Sequence, residues 1–276
     1  MISILSDFGL EDTYVAAMKA VLYTIAPSEK LLDLTHEIPP GDIMRGALEL
    51  WRIGPFLPSE TVILGVVDPG VGTERKAIAF RNEQFTCVGP DNGLFSYLVD
   101  EQALSSVVEL NNTEYQWRQA SMTFHGRDIF APAAAYLAAG VPLNEFGPHV
   151  EELIRLPQPM LQIEDSRLIR GEILYSDRFG NLVTSIGKLA QHGSILVCDP
   201  WIGDEKSHDI ETSDPTVSLP DGSEIKLMKA FGDVPEGSLT AYIGSSGLME
   251  IAVNGGSASE TTGLERGHHI ELKPQG

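Results

Sequence analysis

The sequence predicts an α/β protein in two parts: an N-terminal open α/β sheet domain with helices on both faces, and a smaller C-terminal all-β, barrel-like domain. Three observations predict it. Apolar strand-like runs alternate with segments of helical period through the first half. The run Thr61 to Val67 has no polar alternation after Thr61, as a strand covered on both faces requires. After Pro157 and Pro159 the texture changes to short apolar runs separated by Gly, Asp and Ser. The expected domains are residues 1–157 and 166–276, with a linker at 158–165.

In chain order, Ile2 to Leu5 is a short apolar strand that ends in Ser6-Asp7-Phe8-Gly9, and a helical pattern follows from Asp12 to Thr24 with an acid in its first turn. Leu31 to Leu34 reads as a strand. A helix then begins near Asp42, with Ile43, Ala47, Leu48 and Trp51 recurring at helical spacing. Thr61 to Val67 ends at Asp68-Pro69-Gly70. Lys76 to Phe80 and Phe85 to Val88 are further strands, a small helix is expected near Leu94 to Leu98, and a longer one over Ile129 to Ala139. From Arg167 onward, Leu168 to Tyr175, Ser194 to Val197, Glu224 to Met228, Leu239 to Ile243 and Leu248 to Val253 read as strands of a small barrel or sandwich. In an open α/β sheet, ligands bind beyond the carboxyl ends of the strands.

Composition removes several function classes. With 42% hydrophobic and 21% charged residues the chain is of ordinary globular composition. Its 39 acidic and 19 basic residues give a net charge of −20, which disfavours nucleic acid, because phosphate binding relies on Lys and Arg displacing counterions. Cys87 and Cys198 stand alone, without a CxxC pair or a secreted-type framework, and this predicts reduced thiols and a cytoplasmic location. No run approaches the ~20 apolar residues of a membrane span. The N-terminus lacks the basic n-region of a signal peptide.

Several familiar motifs fail on their own physics. Asp7-Phe8-Gly9 and His125-Gly126-Arg127-Asp128 look like kinase signatures in reversed order, without a Gly-rich loop. Gly70-Val71-Gly72-Thr73-Glu74-Arg75 lacks the third glycine of a dinucleotide fingerprint. The seven histidines show no metal spacing, and His268 and His269 would point in opposite directions on a strand, so no metal and no cofactor is expected. Gly244-Ser245-Ser246-Gly247 is not a nucleophile elbow; a loop that binds through its hydroxyls fits better. What remains is a set of polar clusters at strand ends, led by Asp68, with Arg75, His125 and the pair Asp7 and Asp12.

Six blocks occur in order: Ser6-Asp7-Phe8-Gly9 with Asp12; Val66-Val67-Asp68-Pro69-Gly70-Val71-Gly72 with Arg75; Gly89-Pro90-Asp91-Asn92-Gly93; Thr123-Phe124-His125-Gly126-Arg127-Asp128; Asp177-Arg178-Phe179-Gly180-Asn181; and Ile251-Ala252-Val253-Asn254-Gly255. In this order and over nearly the whole chain they resemble the S-adenosylmethionine hydroxide adenosyltransferases, relatives of the fluorinase and chlorinase enzymes. The resemblance implies that Asp68, Arg75 and His125 form a water-activating triad. It implies that Asp12 holds the ribose hydroxyls, with Asp7 as a second candidate nearby. Phe179 and Asn181 would contact adenine together with backbone groups near Val253 and Gly255. Asp177 would bind the methionine amino group and the Ser245-Ser246 loop its carboxylate. It further implies a homotrimer whose sites lie between the N-terminal domain of one subunit and the C-terminal domain of the next.

The departures from the halogenating relatives are informative. Those enzymes carry a serine where this chain has Gly126, and an aromatic in place of Asp68. A carboxylate beside the nucleophile would repel halide, so the resemblance implies cleavage of S-adenosylmethionine to adenosine and methionine by water. Ser246 stands where some relatives have arginine. Two other readings stay open at this level: a non-catalytic S-adenosylmethionine or nucleoside sensor, and a halide-dependent adenosyl transferase. Which triad member accepts the proton also stays open.

Overall fold

The computed structural model describes residues 1–98, 106–118, 120–164, 168–203 and 206–274. The expected start of the second domain, residue 166, and its last residue, 276, lie outside them. The chain divides into two compact units, Met1–Leu156 and Pro157–Gly276.

The first unit is built on a six-stranded sheet. Its strands are β1 (Ile2–Ser6), β2 (Leu31–Thr35), β3 (Thr61–Val66), β4 (Ala77–Arg81), β5 (Phe85–Pro90) and β6 (Ser106–Glu109), in the spatial order β2-β1-β3-β5-β4-β6. β2, β1, β3 and β5 run parallel, and β4 is antiparallel to both its neighbours. All six residues of β3 are buried, as its unbroken apolar run requires.

Helices cover both faces. α1 (Tyr14–Ile25) buries Val15, Met18, Val21 and Leu22 at helical spacing, and packs with α3 (Ala131–Ala138) over Ile2, Ile4, Leu64 and Val66. α2 (Ile43–Ile53) starts where the Asp42 carboxylate accepts from Arg45 N at 3.0 Å. Leu50 of α2 joins Leu5, Ile63 and Val67 on the other face.

In α2, Ala47 and Leu48 of the expected stripe are buried together with Gly46 and Leu50, Ile43 packs half-buried against the same core as Leu50, and Trp51 is half-buried. Two expectations are corrected here. Leu94 to Leu98 is not a helix: its turns close through Ser96 N to Gly93 O and Leu98 N to Phe95 O, each spanning only three residues. The helix expected over Ile129 to Ala139 is preceded by a wide turn, Gly126–Phe130, whose closing bond runs from Ala131 N to Gly126 O. Such i→i+5 turns gather at functional sites.

The second unit contains a closed barrel of seven strands. These are β8 (Leu168–Ser176), β9 (Leu182–Thr184), β13 (Thr216–Ser218), β14 (Glu224–Met228), β15 (Leu239–Ile243), β16 (Met249–Val253) and β17 (His269–Lys273). They run β17-β13-β14-β15-β16-β9-β8, and β17 pairs with β8 to close the ring, which removes the free edges. β10 (Leu189–His192), β11 (Ile195–Cys198) and β12 (His208–Glu211) form a separate three-stranded sheet. The expected linker is not a bare connection, because β7 (Leu161–Glu164) lies within it and pairs with β8. This half is also not purely β: α4 (Ala258–Thr262) starts at Ser257, whose hydroxyl accepts from Glu260 N, and ends at Gly263 in the left-handed region.

Candidate active site

β1 lies between β2 and β3, so the chain leaves β1 in one direction for β2 and returns on its other side as β3. In an open α/β sheet that reversal opens a crevice at the carboxyl ends of the two strands. Ser6 and Val66 are register partners at those ends. Asp7 follows directly from β1, and Asp68 follows β3 after Val67.

Asp68 is held from behind. Asn92 Nδ2 donates to Val67 O at 2.8 Å, and the turn after Asp68 closes through Val71 N to Asp68 O at 3.2 Å. That turn brings Arg75 back onto Asp68 in a two-point pair: Nε donates to Oδ1 at 2.9 Å, and Nη2 donates to Oδ2. Their side chains are 9% and 5% exposed, so the pair is largely withdrawn from water. The guanidinium lies 5.2 Å from the centre of the Phe130 ring, which supports its plane.

Nη2 of Arg75 also lies 2.8 Å from His125 Nδ1. Arginine has only donors, so Nδ1 is the acceptor and the neutral ring carries its proton on Nε2. Burial lowers the His125 pKa below its ordinary value, and the Arg75 charge lowers it further, against smaller opposing effects of Asp68 and Asp128. The three residues singled out from sequence therefore form one connected cluster.

His125 opens the wide turn before α3. Asp128 in that turn is 1% exposed and accepts from Arg127 Nε and Nη2 at 2.7 and 2.8 Å and from Ser121 N at 2.9 Å, which ties down the loop leading to His125. Gly126 is buried. A Cβ there would lie 3.1 Å from Met18 Sδ, 3.3 Å from Phe124 and 3.4 Å from Phe8. Phe8, Tyr14 and Phe124 pack mutually, with ring centroids 5.2 to 5.9 Å apart.

Asp7 Oδ2 accepts from Gly41 N at 2.8 Å. Burial raises its pKa; the backbone bonds oppose this, and the negative charge of Asp68 adds to the rise. Asp12 sits in the exposed turn before α1. Phe130, Asn92 and Asp128 complete the support of the cluster and were not singled out from sequence for that role. Asn92 and Asp128 lie inside the motif blocks, whereas nothing local marks Phe130 as the platform for an arginine 55 positions earlier.

In the second unit the predicted residues fall into two groups. Asp177, Phe179 and Asn181 share the loop between β8 and β9. Asp177 Oδ1 accepts from Phe179 N at 2.8 Å and Asn181 N at 2.9 Å, and Oδ2 accepts from Asn181 Nδ2 at 3.1 Å, so this carboxylate braces its own loop. Phe179 is 71% exposed. The loop packs on the turn after β16: Ser259 N donates to Gly180 O at 3.0 Å, and Ser257 Oγ would lie 2.2 Å from a Cβ at Gly180. Gly180 has φ +83°, so both its conformation and this approach require glycine. Val253 ends β16 and Gly255 follows at φ +77°, so both belong to this group.

Ser245 and Ser246 lie at the other end of β16, in the turn closed by Gly247 N to Gly244 O at 2.9 Å. The Ser246 hydroxyl is buried and has no hydrogen-bond partner among the described residues. A buried hydroxyl left unpaired costs free energy unless a ligand or water meets it.

Comparison with known proteins supplies the family. Residues 2–147 match the SAM hydroxide adenosyltransferase N-terminal domain, and residues 171–271 match the C-terminal domain of the same name. The chain is 42% identical to a protein of Thermus thermophilus named (R)-S-adenosyl-L-methionine hydrolase, over 97% of both chains. It is 41% identical to a protein of the same name from Salinispora tropica, over 98% of this chain and 97% of that one. A fluorinase of Actinoplanes is 26% identical over 97% and 95%. A crystal structure of a conserved protein from Thermotoga maritima superposes with a TM-score of 0.83 at 35% identity, covering 99% of this chain and all of that one. On both matched domains and the full-length relatives, the chain belongs to the SAM hydroxide adenosyltransferase family.

Proposed function

We infer that this protein hydrolyses S-adenosylmethionine to adenosine and methionine, by in-line attack of water on the ribose 5′ carbon. The observation that carries the reading is the Asp68–Arg75–His125 cluster beside the sheet's switch point, linked through one guanidinium whose ion pair with Asp68 is largely withdrawn from water. The higher identity to proteins named hydrolases than to the fluorinase supports water over halide. So does the carboxylate of Asp68, which can take up the proton that water releases on attack and that a halide does not carry. The name of those relatives extends the reading to the (R) configuration at sulfur.

The sulfonium is already an activated leaving group. Displacement converts a cation into a neutral thioether, so no general acid is needed; the protein must align and activate the water. His125 holds the water oxygen through its Nε2 proton, and Arg75 stabilises hydroxide character through its charge. Asp68 accepts the proton. As the O–C5′ bond forms, the C5′–S bond breaks with its electron pair on sulfur, and the proton taken by Asp68 passes to solvent.

Asp7 and Asp12 provide carboxylates for the vicinal ribose hydroxyls; Asp7 is the one whose orientation is fixed, by Gly41 N. Phe179, Asn181 and the backbone near Val253 and Gly255 take adenine, and Ser245 and Ser246 the carboxylate of methionine; Asp177, which the resemblance gives to the methionine amino group, stands at the adenine end and braces the loop that carries Phe179 and Asn181. The two groups stand at opposite ends of the five-residue β16, a rise of roughly 13 to 17 Å, which suits an elongated ligand lying along the strand. The two halves of the site come from different subunits of a homotrimer in the cytoplasm.

The test is turnover in heavy-oxygen water with each sulfonium epimer, with and without chloride. The label is expected on the 5′ oxygen of adenosine. Unlabelled adenosine or a 5′-chloro nucleoside would overturn hydrolysis. Binding without turnover at high enzyme concentration would favour a sensor. Asp68→Ala is expected to abolish product while adenosine still binds.

A further inference from the structure

Outside this cluster, the polar group most completely built and engaged by nothing above is Ser6–His36–Asp33. His36 follows β2 and is 3% exposed; Ser6 ends β1 and is fully buried. His36 Nδ1 lies 2.7 Å from Ser6 Oγ, and Nε2 lies 3.2 Å from Asp33 Oδ1. The connectivity is that of a serine hydrolase triad. A nucleophile with no accessible surface cannot meet a substrate, however, so the arrangement does something other than acyl chemistry.

The hydrogen-bond directions show what it does. A carboxylate only accepts, so Asp33 takes the Nε2 proton of His36. In the neutral ring Nδ1 then accepts from the Ser6 hydroxyl. That leaves the lone pairs of Ser6 Oγ for Phe8 N, at 3.4 Å. The backbone of the same histidine makes the next contact: His36 O accepts from Gly9 N at 2.8 Å. Asp33 is anchored in turn by Lys19 of α1. Although burial pushes the Asp33 pKa up, the bonds from Lys19 and His36 outweigh it and hold the carboxyl below its ordinary value.

The segment bracketed by these contacts is Ser6-Asp7-Phe8-Gly9. Ser6 is fixed before Asp7, and Phe8 and Gly9 are fixed after it. All three attachments lead to His36. The bond from Gly41 N orients only one oxygen of Asp7; His36 fixes the backbone from which that side chain projects.

We propose that His36 is a positioning residue for Asp7, with Ser6 as the link and Asp33 holding the tautomer, so that the ribose carboxylate is presented in one orientation. The proposal rests on the reading of Asp7 as a ribose ligand. A carboxylate that must meet two vicinal hydroxyls at once tolerates little misplacement.

The experiment measures binding of adenosine and of 2′,3′-dideoxyadenosine by calorimetry to the full chain and to His36→Phe, His36→Asn and Ser6→Ala, with thermal melts to establish folding. Wild type is expected to prefer adenosine by roughly tenfold or more, the equivalent of the two lost hydroxyl contacts. In His36→Phe that preference should fall to within about threefold while dideoxyadenosine binds as before. His36→Asn, whose side-chain oxygen can replace Nδ1 as acceptor for Ser6, should restore much of it. Ser6→Ala should resemble His36→Phe, and gives the same answer should the phenylalanine variant fail to fold. A folded His36→Phe or Ser6→Ala with wild-type preference overturns the positioning role. A wild type without preference instead overturns the Asp7 reading itself, and the proposal with it.

Discussion

A single hydrogen bond, from Arg75 Nη2 to His125 Nδ1, sets the chemistry open to the histidine. With Nδ1 occupied by a permanent donor, protonating the ring would place two donors face to face. Burial and the arginine charge both lower the His125 pKa from its usual value near 6.5. The functional form is the neutral one, so the acid limb of kcat/KM is expected below about 6.5, reflecting the free enzyme. Stability follows the same sign. The unfolded chain binds this proton more readily, so the stability contributed by neutral His125 is complete above about 6.5 and is lost as pH falls through the lowered value. His125→Asn should be slower by about 10²- to 10³-fold and lose that limb, since the amide oxygen can accept from Arg75 but does not titrate. Steady-state rates between pH 5 and 8 check this; a limb that persists in the variant belongs to another group. At this scale the sequence was legible only jointly. Asp68, Arg75 and His125 are unremarkable loop residues one by one, and their order among six blocks singled them out. His36 could not be found that way, because it lies outside the six blocks and its partner Ser6, which opens the first of them, is 30 positions distant.

The turn carrying His125 brings together the packing and the choice of nucleophile. Gly126 fits between Met18, Phe124 and Phe8, where an added Cβ would meet all three at 3.1 to 3.4 Å. A serine at this position, as in the halogenating relatives, would have to displace side chains from α1 and from the aromatic trio. Gly126→Ser is therefore expected to lower stability by about 1 to 3 kcal/mol, seen in a denaturant titration, and to lower turnover by moving His125. It should not yield a 5′-chloro nucleoside in chloride, because the Asp68–Arg75 pair stays in place beside the nucleophile; such a product would show that the hydroxyl alone admits halide. Elements with an unbroken signal were legible: β3 reads as buried from the unbroken run Thr61 to Val67 that contains its six residues, and β14 and β15 occupy the predicted residues. The short strands β9 and β13, three residues each, are too brief for a period to register, and their pairing is set by the closed barrel around them. The turns at Leu94 to Leu98 show the opposite error, where an apolar cluster imitates a helix face without the length to sustain one.

For the molecule as a whole, the division into Met1–Leu156 and Pro157–Gly276 separates the two chemistries of the proposed reaction. Water activation belongs to the first unit, at the β1/β3 switch point, while the groups read as adenine and methionine ligands belong to the second. Composition and alternation were enough to anticipate an open sheet followed by a barrel. They could not anticipate β7 within residues 158–165, because a four-residue strand gains its stability from β8, not from its own sequence. The proposal that the two halves of each site come from different subunits has a quantitative consequence. Asp68→Ala disables every first-unit half and Asn181→Ala weakens every second-unit half, so either homotrimer should be nearly inactive. When equal amounts are unfolded together and refolded into random trimers, each interface draws its halves independently, and about a quarter join two intact halves. Activity is then expected to return to about a quarter of wild type per subunit. If each site were built within one chain, no mixture could assemble an intact site. Activity that stayed at the level of the parent variants, with trimers verified by sedimentation, would overturn the shared-site arrangement while leaving hydrolysis untouched.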